Sequence, residues 1–110
     1  MLFRSFNLDT KKVIATLPMA KGADVVQFDP GLGRIYVACA SGAISVFQMD
    51  DPDRFHKIED VRVPRKVHSL GIDVRTRRLY APAEEQDGRP VAKMLVFEAI
   101  PGTSSGAGGK

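Results

Sequence analysis

Short strand-forming runs recur along this chain with a period of roughly 44 residues, and a fixed period of that length constrains the fold more than any single motif. Asp24-Val25-Val26-Gln27-Phe28-Asp29, followed by Gly33-Arg34-Ile35-Tyr36-Val37-Ala38, is echoed downstream. The echo is His68-Ser69-Leu70-Gly71-Ile72-Asp73, followed by Arg77-Arg78-Leu79-Tyr80-Ala81-Pro82. Asp29 to Asp73 and Tyr36 to Tyr80 are each 44 residues apart. A second echo links Ser5-Phe6-Asn7-Leu8-Asp9 to Val46-Phe47-Gln48-Met49-Asp50, 41 apart by the aspartates. It recurs as Leu95-Val96-Phe97-Glu98, with Phe47 and Phe97 separated by 50. The longer step implies an expanded polar loop at Ala83–Ala92, where the earlier copy has only Ser41-Gly42.

Helical periodicity is weak, and apolar or alternating runs stand between turn formers such as Asp29-Pro30-Gly31, Asp50-Asp51-Pro52 and Asp87-Gly88. The runs are Leu2–Leu8, Val13–Leu17, Ala23–Phe28, Arg34–Cys39, Ala43–Met49, Phe55–Val63, Val67–Ile72, Arg78–Ala81 and Met94–Phe97. Several are apolar on both faces: Ile44 and Val46 alternate with Phe47 and Met49. Such strands suit a sheet covered on both sides by other sheets, not one that meets water. A repeat of about 40–45 residues holding four short strands is one blade of a β-propeller. The expected fold is therefore all-β, a propeller fragment of four-stranded antiparallel meander blades. Residues 1–19 would end a first blade with its two outer strands, 20–63 would form one complete blade, 64–100 a partial blade, and 101–110 a flexible tail. Two blades alone leave broad apolar faces bare, so oligomerisation or a longer parent is implied.

Composition excludes other classes. At 110 residues, 44% hydrophobic and 26% charged, the chain has globular proportions. No apolar run approaches the ~20 residues of a membrane span. Met1-Leu2-Phe3-Arg4-Ser5 lacks the pattern of a secretory signal, which leaves the compartment open. Cys39 lies in an apolar run and reads as a buried, inert thiol. A net charge of +3 is mildly basic, but Lys and Arg are scattered among turns, which argues for a solvated surface over a nucleic-acid stripe. The Gly- and Ser-rich segment from Pro101 to Lys110 is either a natural tail or a remnant of cloning.

The stretches GRIYVACASGAISVFQMDD and RRLYAPAEEQ…AKMLVFEA resemble the YVTN-type repeats of YncE-like seven-bladed β-propellers. In those repeats an aspartate and turn precede a basic residue, an aliphatic-Tyr-Val strand, a short turn and an aliphatic-x-Val-aromatic strand. The resemblance spans roughly residues 1–100. It implies a funnel-like propeller, often exported, with family functions that include binding, scaffolding, cofactor holding, lactone hydrolysis and DNA binding. The MLVFEAIPG ending is similar to the end of a parent, so absent blades would precede it. Arg65-Lys66-Val67-His68 departs from the Gly-Ala-Arg-Thr-like run of some relatives, so the role of that arginine does not transfer. No fourth strand is expected after Phe97, which leaves the last blade open unless a strand from elsewhere closes it.

Chemistry is sparse. His56 and His68 are the only histidines, with no Cys or carboxylate at metal-ligand spacing, and no nucleophilic triad is legible. Lactonase-like propellers hold a cation with carboxylates from several blades, whereas Asp24 is the only carboxylate at that position here. Asp50-Asp51-Pro52-Asp53 lacks the glycine and distal glutamate of a calcium loop and reads as a hairpin turn. Gly31-Leu32-Gly33 has no helix after it and is not a phosphate loop. Arg75-Thr76-Arg77-Arg78 reads as a hairpin tip, and Tyr36 and Tyr80 as packing residues whose hydroxyls need partners. Asp24 and His68 occupy equivalent repeat positions, expected near one mouth of the channel. With Lys21 and Arg65 they are the candidate ligand-binding residues, and simple solvated loop ends are the plainer reading. No catalytic residue, metal or cofactor is expected. The reading is a binding or scaffold module whose partners are other blades and an unidentified small molecule or protein. The alternatives are a piece of a lactonase-like or cofactor-holding enzyme, and a self-assembling unit. Three copies supply 27 strands, close to the roughly 28 of seven four-stranded blades.

Overall fold

The computed structural model describes residues 1–100, which form nine strands and no helix. The tail expected at 101–110 lies outside the described residues. The strands are β1 (Leu2–Asn7), β2 (Lys12–Pro18), β3 (Ala23–Asp29), β4 (Arg34–Cys39), β5 (Ala43–Asp51), β6 (Arg54–Arg62), β7 (Gly71–Asp73), β8 (Arg78–Gln86) and β9 (Arg89–Glu98). All pairings are antiparallel between chain neighbours. They make an N-terminal sheet β1-β2, a central sheet β3-β4-β5-β6 and a C-terminal sheet β7-β8-β9.

Sequence pattern decides where each sheet lies. All six residues of β4 are buried, and so are Ile44 to Gln48 of β5, which is possible only when both faces of the central sheet are covered. The N-terminal sheet covers one face. There Ile35, Val37, Cys39 and Phe47 form a cluster against Phe3, Leu17 and Phe55. Phe3 stacks on Phe47 with ring centroids 4.4 Å apart. On the other face Tyr36, Ala38, Ile44 and Val46 pack with Leu79, Ala81 and Ala83 of the C-terminal sheet, and with Val67 and Leu70. By contrast β1 alternates exposed with half-buried residues, as a sheet with one wet face must.

Two expectations need correction. Val67–Ile72 does not form a strand; only Gly71–Asp73 pairs. Pro64 lacks a ladder donor and Lys66 takes φ 67°, so the chain turns here, and Val67 and Leu70 are buried against the central sheet, where the Leu70 carbonyl accepts from Gln27 Nε2 at 2.9 Å. Ala83–Ala92 is not a polar loop either. β8 and β9 run on as a hairpin to Gln86 and Arg89, joined by Asp87 at φ 54° and Gly88 at φ 78°. Positive φ at both turn residues is the two-residue turn whose twist matches paired strands.

The repeat extends to backbone detail. A bulge falls between Ser5 and Phe6 where β1 pairs with β2, and another between Val46 and Phe47 where β5 pairs with β6. The extra residues, Ile14 and Ile58, are 44 apart in sequence. Gly33 and Arg77 share φ near +65° (68° and 64°), and Gly22 and Lys66 share a positive φ again (79° and 67°). The amide of Gly33 donates to the Asp29 carbonyl at 2.8 Å, as that of Arg77 does to Asp73 at 2.8 Å. Met49 donates to the Gly33 carbonyl and Ala99 to the Arg77 carbonyl. Matching bulges, turn angles and hydrogen bonds at repeat spacing mean that successive segments fold to the same local rules.

Candidate functional site

Lys21 and Asp24 lie exposed at the start of β3, and Arg65 and His68 lie exposed between β6 and β7. The structure joins the second pair to the long β8–β9 hairpin. Arg65 lines an open cleft of about 530 Å³ with Arg62, opposite Glu85 and Asp87. Lys66 Nζ pairs with Glu85 at 3.0 Å, and His68 Nε2 with Glu84 at 3.0 Å. The hydrogen bond of His68 thus goes to its own sheet, while Asp24 belongs to the neighbouring one. Sequence reasoning misses Glu84 and Glu85 because the charge of Ala83-Glu84-Glu85-Gln86 makes a strand look like a loop.

His56 Nδ1 lies 2.7 Å from Asp50 Oδ2 across the β5–β6 hairpin. His56 thus meets a carboxylate across a strand pair, and His68 meets one from its place in the segment before β7, although neither has one at ligand spacing in sequence. Among the described residues no group of three or more His, Cys, Asp and Glu is placed to hold a metal ion. Cys39 is fully buried, its Sγ 3.6 Å from the Val37 carbonyl.

The densest polar contacts lie between the β3–β4 and β7–β8 turns. Asp29 is completely buried, and its Oδ1 accepts from Arg77 Nη1 at 2.7 Å and from the Gly31 amide at 2.9 Å. A Cβ added at Gly31 would collide with the Arg77 guanidinium. Among the described residues the second oxygen of Asp29 and the Nε of buried Arg34 find no partner. Asp73 repeats the Asp29 turn, accepting from the Arg75 amide at 2.9 Å and the Thr76 amide at 3.3 Å. The backbone N–H of Arg75, chief among these donors, holds the Asp73 carboxyl below its ordinary value. Burial pushes the Tyr36 hydroxyl up, opposed by the adjacent Arg34 guanidinium. A narrow cleft of about 170 Å³ opens between the central and C-terminal sheets over Arg34, Tyr36, Val46, Ile58 and Phe97. It lies beside β9, the last strand of the C-terminal sheet among the described residues. Sequence reasoning misses the Asp29–Arg77 link because Arg77 sits among basic and polar turn residues that all look solvated. Its place at the repeat position of Gly33 is the available signal.

The Asp29–Arg77 contact joins the central and C-terminal sheets. No family model, no curated protein and no solved structure matches this chain. Among the described residues no helix is long and apolar enough to cross a membrane.

Proposed function

We propose that the three sheets are successive blades of a β-propeller and that the chain works as a binding or scaffold module, without a reaction of its own. The observation that carries this reading is the repetition of bulge, turn angle and hydrogen bond from sheet to sheet at blade spacing, with the middle strands of the central sheet buried on both faces. A propeller blade needs cover on each flank, and a sheet packs on either face of the central sheet. The likeness to YVTN-type repeats supports the same reading and adds a place for ligand contact, the mouth where Lys21, Asp24, Arg65 and His68 would gather. The mixed-charge cleft around Arg65, Glu85 and Asp87 suits a polar partner more than an apolar one.

A divalent-cation titration separates this reading from a lactonase-like one. Binding to the folded state alone raises stability by RT ln(1 + [L]/Kd), about 2.7 kcal/mol at a hundredfold excess over Kd. Adding Ca²⁺, Mg²⁺, Mn²⁺ or Zn²⁺ at millimolar levels is expected to leave the thermal midpoint unchanged. A midpoint raised by several degrees with one of these ions would replace the scaffold reading with a metal-dependent one.

A further inference from the structure

The two ends of the sheet stack carry the two halves of one interface. In the central sheet, Ile44 and Val46 of β5 point toward the C-terminal sheet, while Phe47 points toward the N-terminal sheet. Their repeat equivalents in β9 are Met94, Val96 and Phe97, and in β1 they are Phe3, Ser5 and Phe6. Phe97 packs on the central cluster and Phe3 stacks on Phe47, as the equivalence requires. What remains is bare. Met94 and Val96 are 58% and 53% exposed, although their counterparts Ile44 and Val46 are 1% and 6% exposed. Phe6 is 50% exposed, although its counterpart Phe47 is fully buried. Val13, the cross-strand partner of Phe6, and Leu2 extend the N-terminal patch at 49% and 54%.

We infer that a second copy of this chain covers these faces, head to tail, with the outer face of β1–β2 of one copy seated on the outer face of β8–β9 of the next. This rests on the reading of the sheets as successive blades. The interior shows what covers each surface: the face carrying Ile44 and Val46 is sealed by the next sheet, and Phe47 is sealed by Phe3 of the preceding one. One chain carries both complements, so a second copy continues the interface already formed twice within the molecule. The contact equivalent to Phe3 on Phe47 is then Met94 of one copy on Phe6 of the next, a sulfur–aromatic contact in place of a ring stack. Two different patches meet, so the association is heterologous; it closes into a ring or extends as a filament according to the angle per copy.

Sedimentation of the full chain, alone and with Phe6→Asp and Met94→Asp, tests this. The unaltered chain is expected to exceed its 12.0 kDa monomer mass as concentration rises. Each variant alone is expected to sediment as a monomer. An equimolar mixture of the two regains one intact interface and is expected to yield a species of twice the monomer mass. An unaltered chain that stays monomeric at all concentrations overturns the proposal. So does an oligomer that survives either substitution, or a mixture that fails to pair. Phe6→Ser and Met94→Ser provide the same comparison should either aspartate variant not fold. The β-sheet circular-dichroism signal and cooperative melting of the monomer read the stacked sheets independently, so loss of the assembly leaves the blade reading standing.

Discussion

Asp29 is the side chain on which two turns depend. Its carboxylate has left water entirely, and one oxygen serves both the β3–β4 turn amides and the Arg77 guanidinium. Removing one partner of a buried pair leaves the other uncompensated, which costs about 3–5 kcal/mol when both are deeply buried. Arg77 is 31% exposed, so it hydrates when abandoned, whereas Asp29 does not. Arg77→Ala is therefore expected to destabilise the fold by about 3 kcal/mol, at the lower end of that range. Asp29→Asn keeps an acceptor for the turn and strands only the partly exposed partner, and is expected to cost about 1–2 kcal/mol. Urea unfolding of the two variants checks the order; an Arg77→Ala variant as stable as the parent would show that the pair holds nothing together.

Among the elements, two tight turns use positive φ for different reasons. Gly88 at φ 78° has open space where a Cβ would stand, so Gly88→Ala meets only the backbone penalty of about 1 kcal/mol. At Gly33, φ 68°, a Cβ would stand 2.8 Å from the Met49 carbonyl oxygen of the paired strand. Gly33→Ala is expected to cost at least twice as much as Gly88→Ala in urea unfolding; equal losses would mean that β5 yields freely at that point. The strands themselves are largely legible in the sequence, because period-two alternation and turn formers are local signals. β4 and β5 can be read directly from Ile35-Tyr36-Val37 and Ile44-Ser45-Val46-Phe47. What escapes such reading is decided at a distance. Val67 and Leu70 are apolar because they pack on the central sheet, yet have no strand to pair with. Glu84 and Glu85 extend a hairpin, Glu84 at a register shift and Glu85 opposite Pro90, despite the low strand propensity of glutamate. Repeat position alone places the candidate residues Lys21, Asp24, Arg65 and His68, and it carries no information on Glu84 and Glu85, which reach His68 and Lys66 from β8.

For the whole molecule, cover from flanking sheets, not residue identity, sets what each repeat position contributes. Val46 and Val96 are the same residue at the same repeat position, one sealed between sheets and one at the end of the stack. Truncating a buried valine removes about two methyl groups from a packed interior, worth about 2 kcal/mol with the cavity left behind. Urea unfolding of Val46→Ala and Val96→Ala, at concentrations where both chains are monomeric, compares them directly. A loss of about 2 kcal/mol for Val46→Ala against less than about 0.5 kcal/mol for Val96→Ala is the predicted result. Equal losses at the two positions would contradict it.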